Sequence, residues 1–417
     1  VARIVQKFGG TSLADPAKIQ HAAEIAVKAF QEGYEVTAVV SAMGKTTDDL
    51  IALAQGVNAN PNARELDMLL ATGEQQSVAL MAMAIEKLGY EARSFTGGQA
   101  GIITESRHGK ADIRKIEATG LESSLNRGEI AVVAGFQGVT VKNEVTTLGR
   151  GGSDTTAVAL AVALGAERCD IYTDVSGIFT ADPSLVPEAL PLKCLSYEET
   201  FELASAGAKV IHPKSVEIAM ESQMPVRVRS TFEPENTGTL ITHRLVAPIY
   251  TVCGIALDRH ITSFTIKMKG QIAESGPLEA TSSIFIRLAE LGIATDMVMF
   301  MAREDESEQE LVFTVTEKHS QDVLSVIRNN AGKLNNPVVS SENNLARISI
   351  VGRRLSTKPD LIATLFDTLN RAGIPVELVS TSELRMSVLL PEKNAQEALS
   401  LIHKRFGLSQ EFMATFE

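Results

Sequence analysis

The sequence predicts an α/β protein in which a largely parallel sheet flanked by helices is followed by two ferredoxin-like βαββαβ modules. Three observations lead there. Over about the first 240 residues, short β-branched runs alternate with longer helical stretches. Around 231–248 (TFEPENTGTLITHRLVAP) the periodicity weakens and Pro, Gly, Asn and Thr gather, which marks a boundary. Beyond it, a helix, a glycine and a strand recur at a constant offset of 81 residues.

In the first region the strand candidates are Ile4–Gln6, Val36–Ser41, Ile130–Ala134 and Cys169–Thr173. The helix candidates are Pro16–Glu32, Thr47–Gln55, Glu65–Leu88 and Asp154–Leu164. The first, second and fourth strands run into polar or glycine-rich loops, and open α/β sheets bind ligands at that carboxyl edge.

In the second region, 284–298 (IFIRLAELGIATDMV) matches 365–379 (LFDTLNRAGIPVELV), with Gly292 and Gly373 in the position that closes a helix. Strand candidates precede the helices at Ser263–Lys267 and Ala346–Val351 and follow them at Glu310–Thr316 and Arg385–Leu390. The expected division is therefore residues 1–240, 250–335 and 340–417.

Composition narrows the function. A net charge of -12 argues against a non-specific grip on nucleic acid, whose phosphates want clustered Lys and Arg. The longest apolar runs, such as AVALAVALGA, are too short to span a membrane, and the VARIVQKFGGTS start is not ordered like a signal peptide. Cytoplasm is the expected compartment. Cys169, Cys194 and Cys253 lack metal-ligand spacing and read as reduced and mostly buried.

Several loops carry chemistry. In Lys7-Phe8-Gly9-Gly10-Thr11-Ser12, two glycines admit backbone N–H groups to a phosphate and the lysine adds a charge, although a plain turn with a solvated lysine has the same spelling. Gly149-Arg150-Gly151-Gly152-Ser153-Asp154 opens an apolar helix, where Arg150 offers a fork for a carboxylate or phosphate; Ser153 and Asp154 could instead be caps. Glu74, in Ala71-Thr72-Gly73-Glu74, reads either as a surface glutamate or as the partner of a substrate ammonium. The loop from Ser41 to Asp48 supplies hydroxyls, Thr47 among them, or caps the next helix. Tyr172–Pro183 could embrace a nucleotide, and Lys209 could reach phosphate from Gly207-Ala208-Lys209-Val210-Ile211-His212-Pro213.

Taken in order, KFGGTS, SAMGKTTD, ATGE, GRGGSDTTA, YTDVSGIFTADP and GAKVIHPKS resemble the aspartate kinases of the amino-acid kinase superfamily, and the repeat is similar to that family's tandem ACT modules. The resemblance covers nearly the whole chain and implies an amino-acid-kinase-like sandwich that uses ATP with Mg²⁺ to phosphorylate L-aspartate. It implies that Lys7, Gly9 and Gly10 cradle the transferring phosphate while Asp154 organises the lysines. Arg150 and Glu74 would take the carboxylate and ammonium of aspartate, with Thr47 and Ser153 completing that pocket and Ser41 at its junction with ATP. Thr173, Asp174, Phe179, Thr180, Ala181, Asp182 and Lys209 would hold ATP. No protein metal site is implied. ACT modules imply an amino-acid effector such as lysine or threonine, and a homo-oligomer, a dimer or dimer of dimers.

The second region departs from the family pattern. Glu279 and Asp360 stand near where an effector-binding glycine is usual, and Phe300 and Met301 replace a polar pair. Acidic and apolar side chains there are expected to weaken or abolish such control. A kinase for another amino acid such as glutamate, a non-catalytic amino-acid sensor and a nicotinamide dehydrogenase are the competing readings. The last lacks a GxGxxG after a strand.

Overall fold

A computed structural model describes residues 1–243, 251–269, 277–302, 308–334 and 337–409. They form two compact units, one holding residues 1–183 and 188–243, the other 184–187 and 251–408. Part of the expected boundary stretch, 244–250, lies outside the described residues, as do 410–417.

The first unit runs β1 (Arg3–Phe8), α1 (Pro16–Gln31), β2 (Glu35–Val40), α2 (Thr46–Val57), α3 (Ala63–Lys87), β3 (Ala92–Phe95), β4 (Ile102–Thr104), β5 (Ile113–Ile116), α4 (Thr119–Leu125), β6 (Ile130–Ala134), β7 (Gln137–Val139), β8 (Val145–Thr147), α5 (Gly152–Ala163), β9 (Arg168–Thr173), β10 (Cys194–Leu195), α6 (Tyr197–Ser205), α7 (Pro213–Ser222), β11 (Val226–Ser230) and β12 (Thr239–Ile241). Eight strands form one sheet in the order β10-β12-β11-β9-β1-β2-β6-β3, with β11 and β12 antiparallel and every other pairing parallel. A smaller sheet, β5-β4-β7-β8, packs near α3.

Alternation along the strands decides which face each residue serves. Ile4 and Phe8 join Val36, Ala38, Val40, Ile130, Val132 and Ala134 in one apolar layer, covered by Ile19, Ala22, Ala23 and Ala26 of α1 and Val78, Met81, Ala82 and Ile85 of α3. Those helical positions recur every three to four residues, so each helix buries one stripe. At about 25 cal/mol per Å² of apolar surface, a fully buried Ile or Val in this layer stabilises by roughly 1.5–3 kcal/mol. Lys7 belongs to the opposite register, the face covered by α5.

The second unit runs β13 (Val252–Lys269), α8 (Pro277–Glu290), β14 (Asp296–Ala302), β15 (Glu308–Thr316), α9 (Ser320–Asn329), β16 (Val338–Gly352), α10 (Pro359–Arg371), β17 (Leu378–Thr381), β18 (Arg385–Pro391) and α11 (Ala395–Arg405). All six strands form one antiparallel sheet, β14-β15-β13-β16-β18-β17. Gly292 and Gly373 have φ +67° and +65°, the left-handed geometry that ends α8 and α10.

Strand pairing makes the two repeats less separable than a cut at 335–340 implies. Ile261–Lys269 pairs with β15 and with the start of β16, as the first βαββαβ unit requires. The preceding segment, Val252–Asp258, pairs instead with Arg347–Gly352, and so supplies the last strand of the second unit from ahead of the first. His260 and Asn344, at φ +59° and +57°, sit where the two long strands change register. Arg347, almost fully buried, pairs with Asp258 at 3.0 Å and with Asp296.

Candidate active site

The glycine loops meet at the carboxyl ends of β9, β1, β2 and β6, the four central parallel strands. After β1, Gly9 N donates to Tyr172 O at the end of β9 (3.1 Å), and Gly44 N donates to Gly10 O (2.9 Å). A Cβ on Gly10 would lie 2.8 Å from Ala42 O, so only glycine lets the loops after β1 and β2 touch. The Lys7 ammonium rises from the same strand end and meets the Asp154 carboxylate at 2.6 Å, both side chains nearly buried. The reading of Lys7 as a solvated turn residue is thereby corrected.

Asp154 stands in the first turn of α5, whose N-cap is Gly151 at φ +69°, with no side-chain cap. The reading of Ser153 and Asp154 as caps gives way to a different geometry. Asp154 Oδ2 accepts from His212 N (3.3 Å), tying α5 to the start of α7. His212 Nδ1 accepts from Lys214 N, which places the ring proton on Nε2; burial pushes this imidazole below its ordinary pKa, against the raising effect of Asp154. Ser153 is buried against Gly135, which follows β6.

Glu74 is not a surface residue. It is only 3% exposed, on α3, and its Oε1 accepts from Ala42 N at 3.1 Å, while Oε2 is buried without a hydrogen-bond partner among the described residues. Burial pushes its carboxyl up to about 7, partly offset by the Ala42 N–H. Gly73 explains the closeness: a Cβ there would be 2.9 Å from Ala42 Cβ. Ser41 and Thr47, both half-buried, bracket this loop, and α2 has no side-chain cap.

Around the nucleotide-type loop, Thr173 Oγ1 donates to Asp174 (3.0 Å), and Thr180 is fully buried, its Oγ1 accepting from Leu190 N (3.0 Å). Phe179 bridges to Pro191, Ala181 is buried and Asp182 exposed. Arg150 and Lys209 are exposed and make no ion pair among the described residues, with Asp154 or any other carboxylate. Sequence reasoning assigned no role to His212 or to the Ala42 N–H; the first sat in a quoted motif, and the second leaves no sequence signal. Cys169 and Cys253 are buried and Cys194 half-buried.

In the second unit Asp360 is exposed at the start of α10, and Phe300 and Met301 are 36% and 45% exposed on the edge strand β14. The Glu279 side chain lies outside the described residues. Among the described residues no helix is long and apolar enough to cross a membrane.

Residues 2–230 match the amino acid kinase family, and residues 348–406 match the ACT domain. The chain is 43% identical to the aspartokinase of Geobacillus stearothermophilus, across 99% of this chain and 98% of that one. It also superposes on aspartokinase III of E. coli. Against the R-state with aspartate and ADP the TM-score is 0.84 at 25% identity, covering 97% of this chain and 99% of that one. Against the T-state with lysine and aspartate it is 0.75 at 26% identity, with the same coverage.

Proposed function

The chain belongs to the aspartokinases of the amino acid kinase family, and on that basis we propose that it transfers the γ-phosphoryl group of ATP to the β-carboxylate of L-aspartate. The product would be 4-phospho-L-aspartate, the activated form from which lysine, threonine and methionine are built. The observation that carries this reading is the Lys7–Asp154 pair, held between glycine loops at the ends of four parallel strands.

The chemistry asks little of the protein beyond placement and charge. A carboxylate nucleophile with a pKa near ~3.9 is ionised at neutral pH, so no general base is needed. Rate then comes from aligning acceptor and phosphoryl group in line and from neutralising charge on the oxygens in flight. Lys7 supplies a fixed cation, and Asp154 aims it. Backbone N–H groups around Gly9 and Gly10 and the N-terminus of α5 add donors. Glu74, with its unpartnered Oε2, suits the substrate ammonium, and Arg150 its α-carboxylate; Ser41, Thr47 and Ser153 line the space between. Thr173, Asp174, Phe179–Asp182 and Lys209 would take the nucleotide.

Lysines, backbone N–H groups and hydroxyls at the strand ends suit phosphate oxygens, so magnesium would arrive with ATP and keep phosphate and water ligands. When bound it neutralises charge on the phosphates. The second unit is read as the control and assembly element. The family's effector contacts are altered here by Phe300, Met301 and Asp360, which favours weak or absent amino-acid inhibition, and sheet edges meeting across copies would give a cytoplasmic homo-oligomer.

A coupled assay for ADP release over a panel of amino acids, with hydroxylamine trapping of the acyl phosphate, tests the reaction. Aspartate-dependent ADP release with a matching hydroxamate is expected. Equal turnover with glutamate, or ATP hydrolysis indifferent to acceptor, would refute it.

A further inference from the structure

Arg150 sits in a turn closed by a single backbone bond, from Gly152 N to Gly149 O at 3.0 Å. Its neighbours Gly149 and Gly151 both lie at positive φ, +74° and +69°, and glycines cost the most backbone entropy to fix. Further fixation comes from elsewhere in the chain. Asp67 on α3 is only 1% exposed, yet it accepts from three donors on two separate hairpins. His108 Nδ1 lies 2.9 Å from Oδ2, Gly109 N lies 3.1 and 3.0 Å from the two oxygens, and Thr147 Oγ1 lies 2.6 Å from Oδ1.

Those donors converge on the Arg150 turn from both sides. Thr147 ends β8, three residues before Arg150. Its carbonyl accepts from Ala111 N at 2.9 Å, which closes the loop between β4 and β5 onto β8. Gly109 O in turn lies 3.3 Å from where a Cβ of Gly149 would stand, so the loop bound by Asp67 presses against the residue next to Arg150. A buried carboxylate that satisfies three donors is rigid, because each lost bond would leave a buried polar group unpaired.

Asp67 also lies seven residues before Glu74, so both project from one face of α3, about 10 Å apart along the axis. We propose that Asp67 is a positioning residue for the acceptor's carboxylate: through Gly109 and Thr147 it fixes the Arg150 turn to the helix that carries Glu74. A single helix then sets the separation between the group that takes the ammonium and the group that takes the carboxylate. The inference rests on the reading of Arg150 as the carboxylate clamp.

The test is a mutant cycle on the full chain, with KM for aspartate, KM for ATP and kcat measured separately. Asp67→Asn keeps the side chain's size but turns one acceptor into a donor, and is expected to raise KM for aspartate about tenfold, with KM for ATP and kcat within about twofold. Thr147→Val removes one donor from the far side and should give a smaller rise of about threefold, and it decides the question if Asp67→Asn does not fold. In an Arg150→Ala background neither substitution should raise KM for aspartate further. Unchanged KM for aspartate in the single variants, or a rise that adds fully to that of Arg150→Ala, would overturn the inference. An unchanged KM in Arg150→Ala alone would instead overturn the clamp reading itself.

Discussion

Lys7 Nζ lies 2.6 Å from a carboxylate oxygen of Asp154, and the two come from elements far apart in the chain that pack together: β1 carries one and α5 the other. The pairing keeps a cation fixed at a strand end before any phosphate arrives, so the charge needs no reorganisation during reaction.

Replacing that cation removes charge stabilisation of the transferring phosphoryl group. Lys7→Ala is expected to lower kcat by about 10²–10³-fold while KM for aspartate changes little. Circular dichroism should show the native fold. Near-normal turnover would take Lys7 out of the mechanism.

Glu74 gives a pH signature. Its folded carboxyl is raised from 4.5 to about 7 by burial. Between those values the unfolded chain has lost the proton and the folded chain keeps it. The stability contribution is therefore fully present below about 4.5 and lost as pH rises to about 7. The loss is on the order of 3 kcal/mol. Glu74→Gln should flatten this slope in urea titrations and be the more stable form at alkaline pH. In the unliganded wild type, KM for aspartate should fall as pH rises through 7 and the carboxylate forms; the Gln variant should show a higher KM without that dependence. Parallel pH profiles would rule out Glu74 as the ammonium partner.

Gly151 combines two constraints. Its φ is +69°, and an added Cβ would fall 2.1 Å from His212 Cγ. Gly151→Ala should cost about 1–3 kcal/mol and displace His212 from its bond to Asp154. A lower Tm together with a reduced kcat is expected, whereas a Gly149→Ala variant, whose nearest contact is looser at 3.3 Å, should keep more activity. Equal effects would argue against the His212 contact.

The side chains of Phe300 and Met301 offer no hydrogen bonds to a bound amino acid. Lysine or threonine alone at submillimolar concentration should therefore leave the rate nearly unchanged. Strong inhibition by either, in the same ADP-release assay, would show that the effector contacts lie elsewhere in the second unit.

What the sequence made legible was local. The strand before Lys7, the glycines around Arg150 and the paired helices ending at Gly292 and Gly373 are each written in a few adjacent residues. Glu74 was harder, because its burial depends on Gly73 admitting the loop that contains Ala42, a contact between distant segments. Asp67 had no signal at all, since its three donors lie far away in the chain. Strands of three or four residues, such as β4, β7 and β8, were too short to stand out. The register change inside β13 was hidden too, because His260 takes the left-handed conformation where a glycine would have announced a break.

The crossing of β13 and β16 bears on inheritance. The second repeat takes its last strand from ahead of the first, and the first pairs with the start of β16, so recombination within 335–340 would hand on halves with bare sheet edges and part Arg347 from Asp258. The two repeats are thus one structural unit, built on a single sheet.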